Sequence, residues 1–206
     1  MLGKIAGALG QVAEAGGPIV GIRAGTEEPD FTVERKIGGV EIRRYGPRIA
    51  AETTVDADEE AARNEGFRRL ARYIFGGNNG KAKIAMTAPV AQQQSEKIAM
   101  TAPVAAQRGP GDEWVIRFFM PSKYTLDSLP TPNDDAVRLV PVPAETVAVL
   151  RYSGLIGADA VESHTRELLD TLRENGIETV GDQMSWFYDP PWTLPFLRRN
   201  EVAVGI

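Results

Sequence analysis

Few residues in this chain can do chemistry, and their types exclude much of it. His164 is the only histidine and there is no cysteine. Multi-histidine metal centres, thiolate sites, iron–sulfur clusters and thiol catalysis are therefore excluded. No Gly-x-Ser-x-Gly elbow is present, and one histidine in a helical pattern leaves a Ser-His-Asp triad without partners that the sequence points to. Gly76-Gly77-Asn78-Asn79-Gly80-Lys81 superficially resembles a phosphate loop. Its glycine spacing is one residue short, Ala82 replaces the hydroxyl that magnesium needs, and a helix precedes it where a strand should. We read it as a flexible helix–strand loop. Asp134-Asp135 and Glu59-Glu60 read as solvated surface acids.

What remains suits binding. His164 lies three residues after Val161 and four before Leu168, at the border of an apolar helical face. It is either a partly buried histidine with one nitrogen hydrogen-bonded or an axial ligand to haem iron. Lys83-Ile84-Ala85-Met86-Thr87-Ala88-Pro89-Val90-Ala91 recurs at an offset of 14 as Lys97-Ile98-Ala99-Met100-Thr101-Ala102-Pro103-Val104-Ala105. The spacing predicts a β-hairpin or two successive strands, with Ile and Met sharing one face. Met86 and Met100 are then core fillers or line a pocket together. Trp186, Phe187, Tyr188, Trp192 and Phe196 cluster beside Pro190-Pro191 and Pro195. Such a cluster closes a core or suits a flat apolar ligand.

The elements that must position these groups follow from periodicity. Phe31 to Ile37 and Val40-Ile42 flank Gly38-Gly39 as a tight hairpin, with Phe31, Val33, Arg35 and Ile37 on one side. A strand at 48–55 follows. Phe67, Leu70, Ala71, Ile74 and Phe75 predict a helix over 57–75, with Asp56 as N-cap and Glu59 completing a capping box. Its other face carries Arg63, Arg68, Arg69 and Arg72, a solvated face or a ligand-facing one. Further strands are expected at 114–120, 137–142, 146–152, 184–188 and 201–206, and a second helix at 158–175 with Val161, Thr165, Leu168, Leu169 and Leu172 inward. Strand runs without strict βα alternation predict an α+β class. The matching places of the two helices predict a pseudo-duplicated, barrel-like antiparallel sheet flanked by them, in one domain over 26–206. Residues 1–25 are expected to form a weakly helical or poorly ordered arm, with a cleaved signal peptide as the alternative.

The chain has 206 residues, with 23 Lys+Arg against 28 Asp+Glu and a formal net charge of −5. That argues against nucleic acid as the main partner. No apolar run approaches the roughly 20 residues of a membrane-spanning helix. A cytoplasmic setting is expected, with a periplasmic one left open.

Lys-Ile-Ala-Met-Thr-Ala-Pro-Val resembles the signature of the SOUL haem-binding proteins. Supporting matches run in order: Val40 to Pro47, Gly66-Phe67 to Tyr73-Ile74, Phe118 to Pro121 before Leu129-Pro130, Tyr152-Ser153-Gly154, and Arg199-Asn200-Glu201-Val202. The duplicated octapeptide and Pro190-Pro191-Trp192 resemble the family's bacterial branch. The resemblance implies two similar halves forming a distorted β-barrel with two helices. It also implies reversible, non-covalent binding of haem or another porphyrin in an apolar cleft, without established catalysis. The fold is similar to GyrI-like modules, which hold hydrophobic small molecules and include hydrolases; a hydrolase here would use Glu145 or Glu201. Some animal members have a histidine just before the Tyr of the early strand, where this chain has Arg44, which cannot ligate iron. The expected binding residues are Arg63, Phe67, Leu70, Arg72, Met86, Met100 and His164. Arg63 and Arg72 would pair with propionates, and His164 is the candidate axial ligand.

Overall fold

A two-residue turn, with Gly38 at φ +56°, joins β1 (Phe31–Ile37) to β2 (Val40–Tyr45) as the glycine pair requires. The expected alternation along β1 fails midway. The ladder slips between Val33, opposite Arg43, and Arg35, opposite Ile42, so a bulge at Glu34 changes the phase. Val33 is left exposed on this edge strand.

The computed structural model describes residues 26–80, 95–111, 113–190 and 192–206. The expected arm at 1–25 and the whole first copy of the repeat, 83–91 with Met86, lie outside these residues. After β2 come β3 (Arg48–Asp56), α1 (Glu59–Ile74), β4 (Asn78–Asn79), β5 (Val104–Arg108), β6 (Glu113–Phe119), β7 (Thr131–Pro132), β8 (Arg138–Val142) and β9 (Glu145–Tyr152). Then follow α2 (Ala158–Glu174), β10 (Val180–Phe187), a 3-10 turn (Pro195–Leu197) and β11 (Asn200–Gly205).

The α1 N-cap is Asp58, whose carboxylate accepts the Ala61 N–H at 2.9 Å. The expected cap, Asp56, is instead the last rung of β3, opposite Glu113. Strand pairing there overrides the capping pattern and delays the helix by two residues.

Among the described residues nine strands form one curled antiparallel half-barrel in the order β1-β2-β9-β11-β10-β5-β6-β3-β8. Apart from β1, the order is a palindrome. The unit β3-α1-β5-β6 matches β9-α2-β10-β11, with β8 and β2 as equivalent outer partners, so the duplicated architecture expected from the sequence is present. The seam is β10 against β5, from Met184 opposite Gln107 to Phe187 opposite Val104. The first unit and its flanking strand are contiguous in the chain. They enter and leave at neighbouring rungs: Tyr45 faces Glu145, and Arg48 faces Val142.

Both helices lie on the outer, convex face. Leu70, Tyr73 and Ile74 of α1 pack on Ile116 and Phe118, while Val161, Leu168 and Leu172 of α2 pack on Leu150, Val202 and Val204. Gly66 lets α1 approach closely, since a Cβ there would stand 2.5 Å from Ile116 Cγ1. A third cluster, including Tyr45, Ala50, Phe119, Trp186 and Tyr188, fills the concave side.

Two local expectations are corrected. The second repeat copy is not a strand along its length. Ladder pairing begins at Val104, immediately after Pro103, which cannot donate to it. Before that, Thr101 forms only an isolated bridge with Glu27. Ile98 is 2% exposed and Met100 37%, so the two do not share a buried face. The Gly76–Gly80 loop is also held rather than flexible: Asn78 is buried, its Nδ2 donates to Tyr73 O at 2.7 Å and Glu96 O at 2.8 Å, and its Oδ1 accepts from Glu96 N–H.

Candidate functional site

The outer face carries one row of side chains across five strands. Phe118 faces Val104, Val104 faces Phe187, Phe187 faces Asn200, and Asn200 faces Tyr152. At about 4.8 Å per strand the row spans roughly 19 Å. α1 covers one end, where Phe67 meets Phe118 edge-on at 5.4 Å. α2 covers the other, where His164 stacks on Tyr152 at 4.1 Å with its Nδ1 3.3 Å from Glu167. Between the two helices the row runs through Phe187, Asn200 and Tyr152, all buried.

Arg63 of α1 reaches over this row. Its guanidinium lies 4.7 Å over the Phe187 ring, donates to Ile156 O at 3.2 Å, and stands 3.8 Å from Glu59. The Ile156 loop is in turn tied to the 3-10 turn by Gly154 N–H donating to Pro195 O at 2.9 Å. This chain of contacts gathers α1 and the loops 153–157 and 189–199 at one end of the molecule. There Leu155 is 68% exposed, Trp192 65% and Phe196 71%, with Leu194 and Leu197 also open. Large apolar side chains this exposed and this concentrated mark a binding surface better than scattered ones do.

Polar groups of this row and of the start of α1 are incompletely satisfied. Glu59 Oε1, the Tyr152 hydroxyl and Asn200 Nδ2 are buried without a hydrogen-bond partner among the described residues. Burial pushes the Tyr152 hydroxyl up to about 12, with Arg63 opposing and Glu59 adding to the shift. Burial likewise raises the Glu59 carboxyl, against the pull of Arg63 and Arg108.

On the concave face Arg48 Nε and Trp186 Nε1 are likewise buried without a hydrogen-bond partner among the described residues, but one carboxylate is saturated. Glu201 is fully buried, and each of its oxygens accepts twice. Arg43 donates at 2.8 and 3.1 Å, Arg199 Nε at 3.0 Å and the Tyr188 hydroxyl at 2.7 Å. Arg199 also pairs with Glu28 at 2.9 Å. Arg48, ion-paired with Glu145, is sandwiched between Tyr45 and Phe119. Glu201 has no free lone pair for a substrate proton. Beside Met184, Gln107 and Arg117 this face has about 120 Å³ of open space, below the roughly 300–1,000 Å³ typical of ligand pockets.

The residues singled out from sequence are only partly brought together. Arg63 and Phe67 share a flank of α1 and meet the Phe187 and Phe118 rings of the row. Leu70 is fully buried beneath the helix. Arg72 is exposed, nine residues and about 180° of helix rotation from Arg63, so the two do not converge on one ligand edge. Met100 lies on the segment joined to the end of α1 by Ile98 N–H donating to Ile74 O at 2.8 Å. His164 sits at the far end of the row, one ring face covered by Tyr152. Sequence reasoning missed Tyr152 and Asn200 as site residues. Both were quoted within motifs, but nothing in a strand pattern shows that their polar ends lack partners.

Comparison with known proteins agrees with the architecture. The family described as SOUL heme-binding protein matches residues 26–205. Heme-binding protein 2 of Homo sapiens is 33% identical over 171 residues, covering 80% of this chain and 77% of that one. Heme-binding protein 2 of Mus musculus is 29% identical over 204 residues, covering 93% and 94%. Among solved structures, the EcmrR C-terminal domain superposes with a TM-score of 0.58 at 10% identity, covering 81% of this chain and 95% of that one. A hydrolase from Listeria innocua gives 0.54 at 8%, covering 84% and 92%. At such identities these two share the fold alone. Among the described residues no helix is long and apolar enough to cross a membrane. With the family match spanning nearly every described residue, the chain belongs to the SOUL haem-binding protein family.

Proposed function

We propose that this chain binds haem or a related tetrapyrrole non-covalently, as a carrier, buffer or sensor, on the outer face between α1 and the loops 153–157 and 189–199. The observation that carries this reading is the exposed apolar rim of Leu155, Trp192, Leu194 and Phe196, stitched to α1 through Arg63 and adjoining Phe67. Family membership and the haem-binding names of the relatives support it. A flat macrocycle laid on that rim removes apolar area from water, which contributes about 25 cal/mol per Å² before association costs. Arg63 would meet a carboxylate edge. His164 is the candidate iron ligand, but stacking on Tyr152 leaves its ring partly covered, so apolar burial carries most of the affinity. The partner is a small molecule rather than nucleic acid, in keeping with the net charge of −5.

Titration with haemin and with metal-free protoporphyrin IX, followed by tryptophan quenching and the Soret band, tests the reading. We expect comparable affinities for the two, and less than a tenfold loss for haemin in His164→Ala, or under about 1.4 kcal/mol. Absence of binding to both would favour a module for a different hydrophobic small molecule. The hydrolase alternative has less support, since Glu201 is saturated and Glu145 is paired with Arg48.

A further inference from the structure

Residues 83–91 and 97–105 are identical, yet only one stretch at a time can fill the place that 97–105 occupies. That seat is made by contacts of the repeated residues themselves. Ile98, 2% exposed, packs with Leu70, Tyr73 and Ile74 of α1, and its N–H donates to Ile74 O at 2.8 Å. The Thr101 hydroxyl donates to Phe119 O, and Ala102 N–H donates to Glu27 O at 2.9 Å. Val104 and Ala105 open the β5 ladder against Phe118 and Arg117 of β6, and against Phe187 and Trp186 of β10. Every one of these groups recurs between Ile84 and Ala91. The seat itself therefore has no chemistry that tells the two copies apart.

Reach does not forbid an exchange. Just before the second copy, Asn78 holds the Glu96 backbone, donating to Glu96 O at 2.8 Å and accepting from Glu96 N–H at 2.9 Å. Any residue but proline offers those two groups. In the exchanged register Ala82 would take that place, four residues beyond Asn78, and four residues span up to about 13 Å. The surplus residues would pass from the front of the segment to the connection between β5 and β6. Loop closure depends only weakly on length, so that transfer is cheap. Discrimination comes just past the repeat. Ala106 is 1% exposed, opposite Ile116 and within the core that α1 covers. The first copy would put Gln92 there, a longer side chain whose amide would have to be buried. Gln93 would replace Gln107 like for like, and Gln94 would replace Arg108, losing the contact of its guanidinium with the Trp114 ring at 5.5 Å.

We propose that residues 83–91 are an alternative occupant of this seat, so that β5 has two registers 14 residues apart. Ala106 against Gln92 sets the preference for the second copy. Because β5 carries the seam with β10, this exchange changes which stretch of chain joins the two halves of the sheet. It does not depend on what the chain binds.

Thermal unfolding of full-length variants tests the exchange. Ile84→Asp should leave the melting temperature unchanged. Ile84→Asp combined with Ile98→Asp buries a charge in either register and should lower it by roughly 10 °C or more. Ile98→Asp alone should lose less, because the first copy replaces the second. Adding Gln92→Ala to Ile98→Asp should recover most of the loss, whereas Gln92→Ala alone should change nothing. In that rescued variant the Met86 methyl resonance should take the position that Met100 has in the wild type. Deleting 83–96 joins Ala82 to Lys97 and should leave the melting temperature within about 2 °C of wild type. Ile98→Asp as damaging as the pair, no recovery on adding Gln92→Ala, or a deletion variant that does not fold would each overturn the exchange. So would a recovery that depends on protein concentration, since the replacement would then come from a second molecule.

Discussion

Two glutamate clusters, one on each face of the sheet, differ in how fully their partners satisfy them. On the concave side every oxygen of Glu201 is used, by Arg43, Arg199 and the Tyr188 hydroxyl. On the convex side Tyr152 and Asn200 are buried and Glu59 partly so, and each has an atom without a hydrogen-bond partner among the described residues, as Arg48 Nε and Trp186 Nε1 do on the concave side. Both clusters contain a tyrosine, a glutamate and arginine, so composition does not separate them. Saturation does: a closed network fixes the curl of the sheet, whereas an open one keeps hydrogen-bonding capacity for something else.

The largest effect should come from breaking the closed network. Glu201→Leu strands Arg43 and Arg199 beside an apolar side chain and should cost about 3–5 kcal/mol in urea unfolding. A loss below 1 kcal/mol would mean the cluster is not a structural keystone.

The sharpest contrast pairs two identical substitutions. Tyr188→Phe removes a hydrogen bond to a buried charge and should cost about 1.5–3 kcal/mol, while Tyr152→Phe should fall within about 0.5 kcal/mol of wild type or be stabilising. Equal losses would erase the distinction between the clusters.

Glu59 supplies a smaller, pH-dependent effect. Burial raises its carboxyl in the folded state, with Arg63 on its own helix and Arg108 on β5 opposing and the Tyr152 hydroxyl of β9 nearby. The folded protein therefore holds that proton to higher pH than the unfolded chain does. This contribution is fully present below the ordinary value of 4.5 and is lost as pH rises through the raised one. Glu59→Gln should accordingly stabilise at pH 7, with the gain fading at pH 4. A gain that grows on acidification would contradict the assignment.

The smallest stability effect is expected at the rim. Phe196→Ser changes an exposed side chain and should move unfolding by less than about 0.5 kcal/mol, yet weaken porphyrin binding severalfold. Unchanged binding would place the ligand elsewhere.

Much of the fold was legible because its signals are local. The 3.6-residue spacing of Phe67, Leu70 and Ile74, and of Val161, Leu168 and Leu172, located both helices within two residues at each end. The glycine pair at 38–39 located the first hairpin. What failed depended on partners distant in sequence. The bulge at Glu34 is set by β2, the displaced cap by the pairing of Asp56 with Glu113, and the clamped Asn78 by Glu96. The site was legible in part for the same reason. Phe67 and His164 stood out by type and face, and the structure sets them at opposite ends of one row of strand residues. The divergence of Arg63 and Arg72 follows from their spacing only once the core side of the helix is known. The unsatisfied state of Tyr152 and Asn200 belongs to five strands and two helices at once, and no single stretch of sequence encodes it.

The neighbouring rungs Tyr45–Glu145 and Arg48–Val142 bear on how such a molecule is assembled. Because residues 48–142 depart from and rejoin the sheet at adjacent points, that stretch is topologically an insert within a host hairpin formed by β2 and β9. The host could be resealed across Tyr45 and Glu145 by a turn of two or three residues without rerouting any other strand. The resealed host would keep α2, Tyr152 and Asn200, but it would lose Arg63, Phe67 and Glu59 together. The outer surface spanned by α1 and α2 is thus a joint possession of insert and host, and a chain carrying only one of them would keep only one of the two helices.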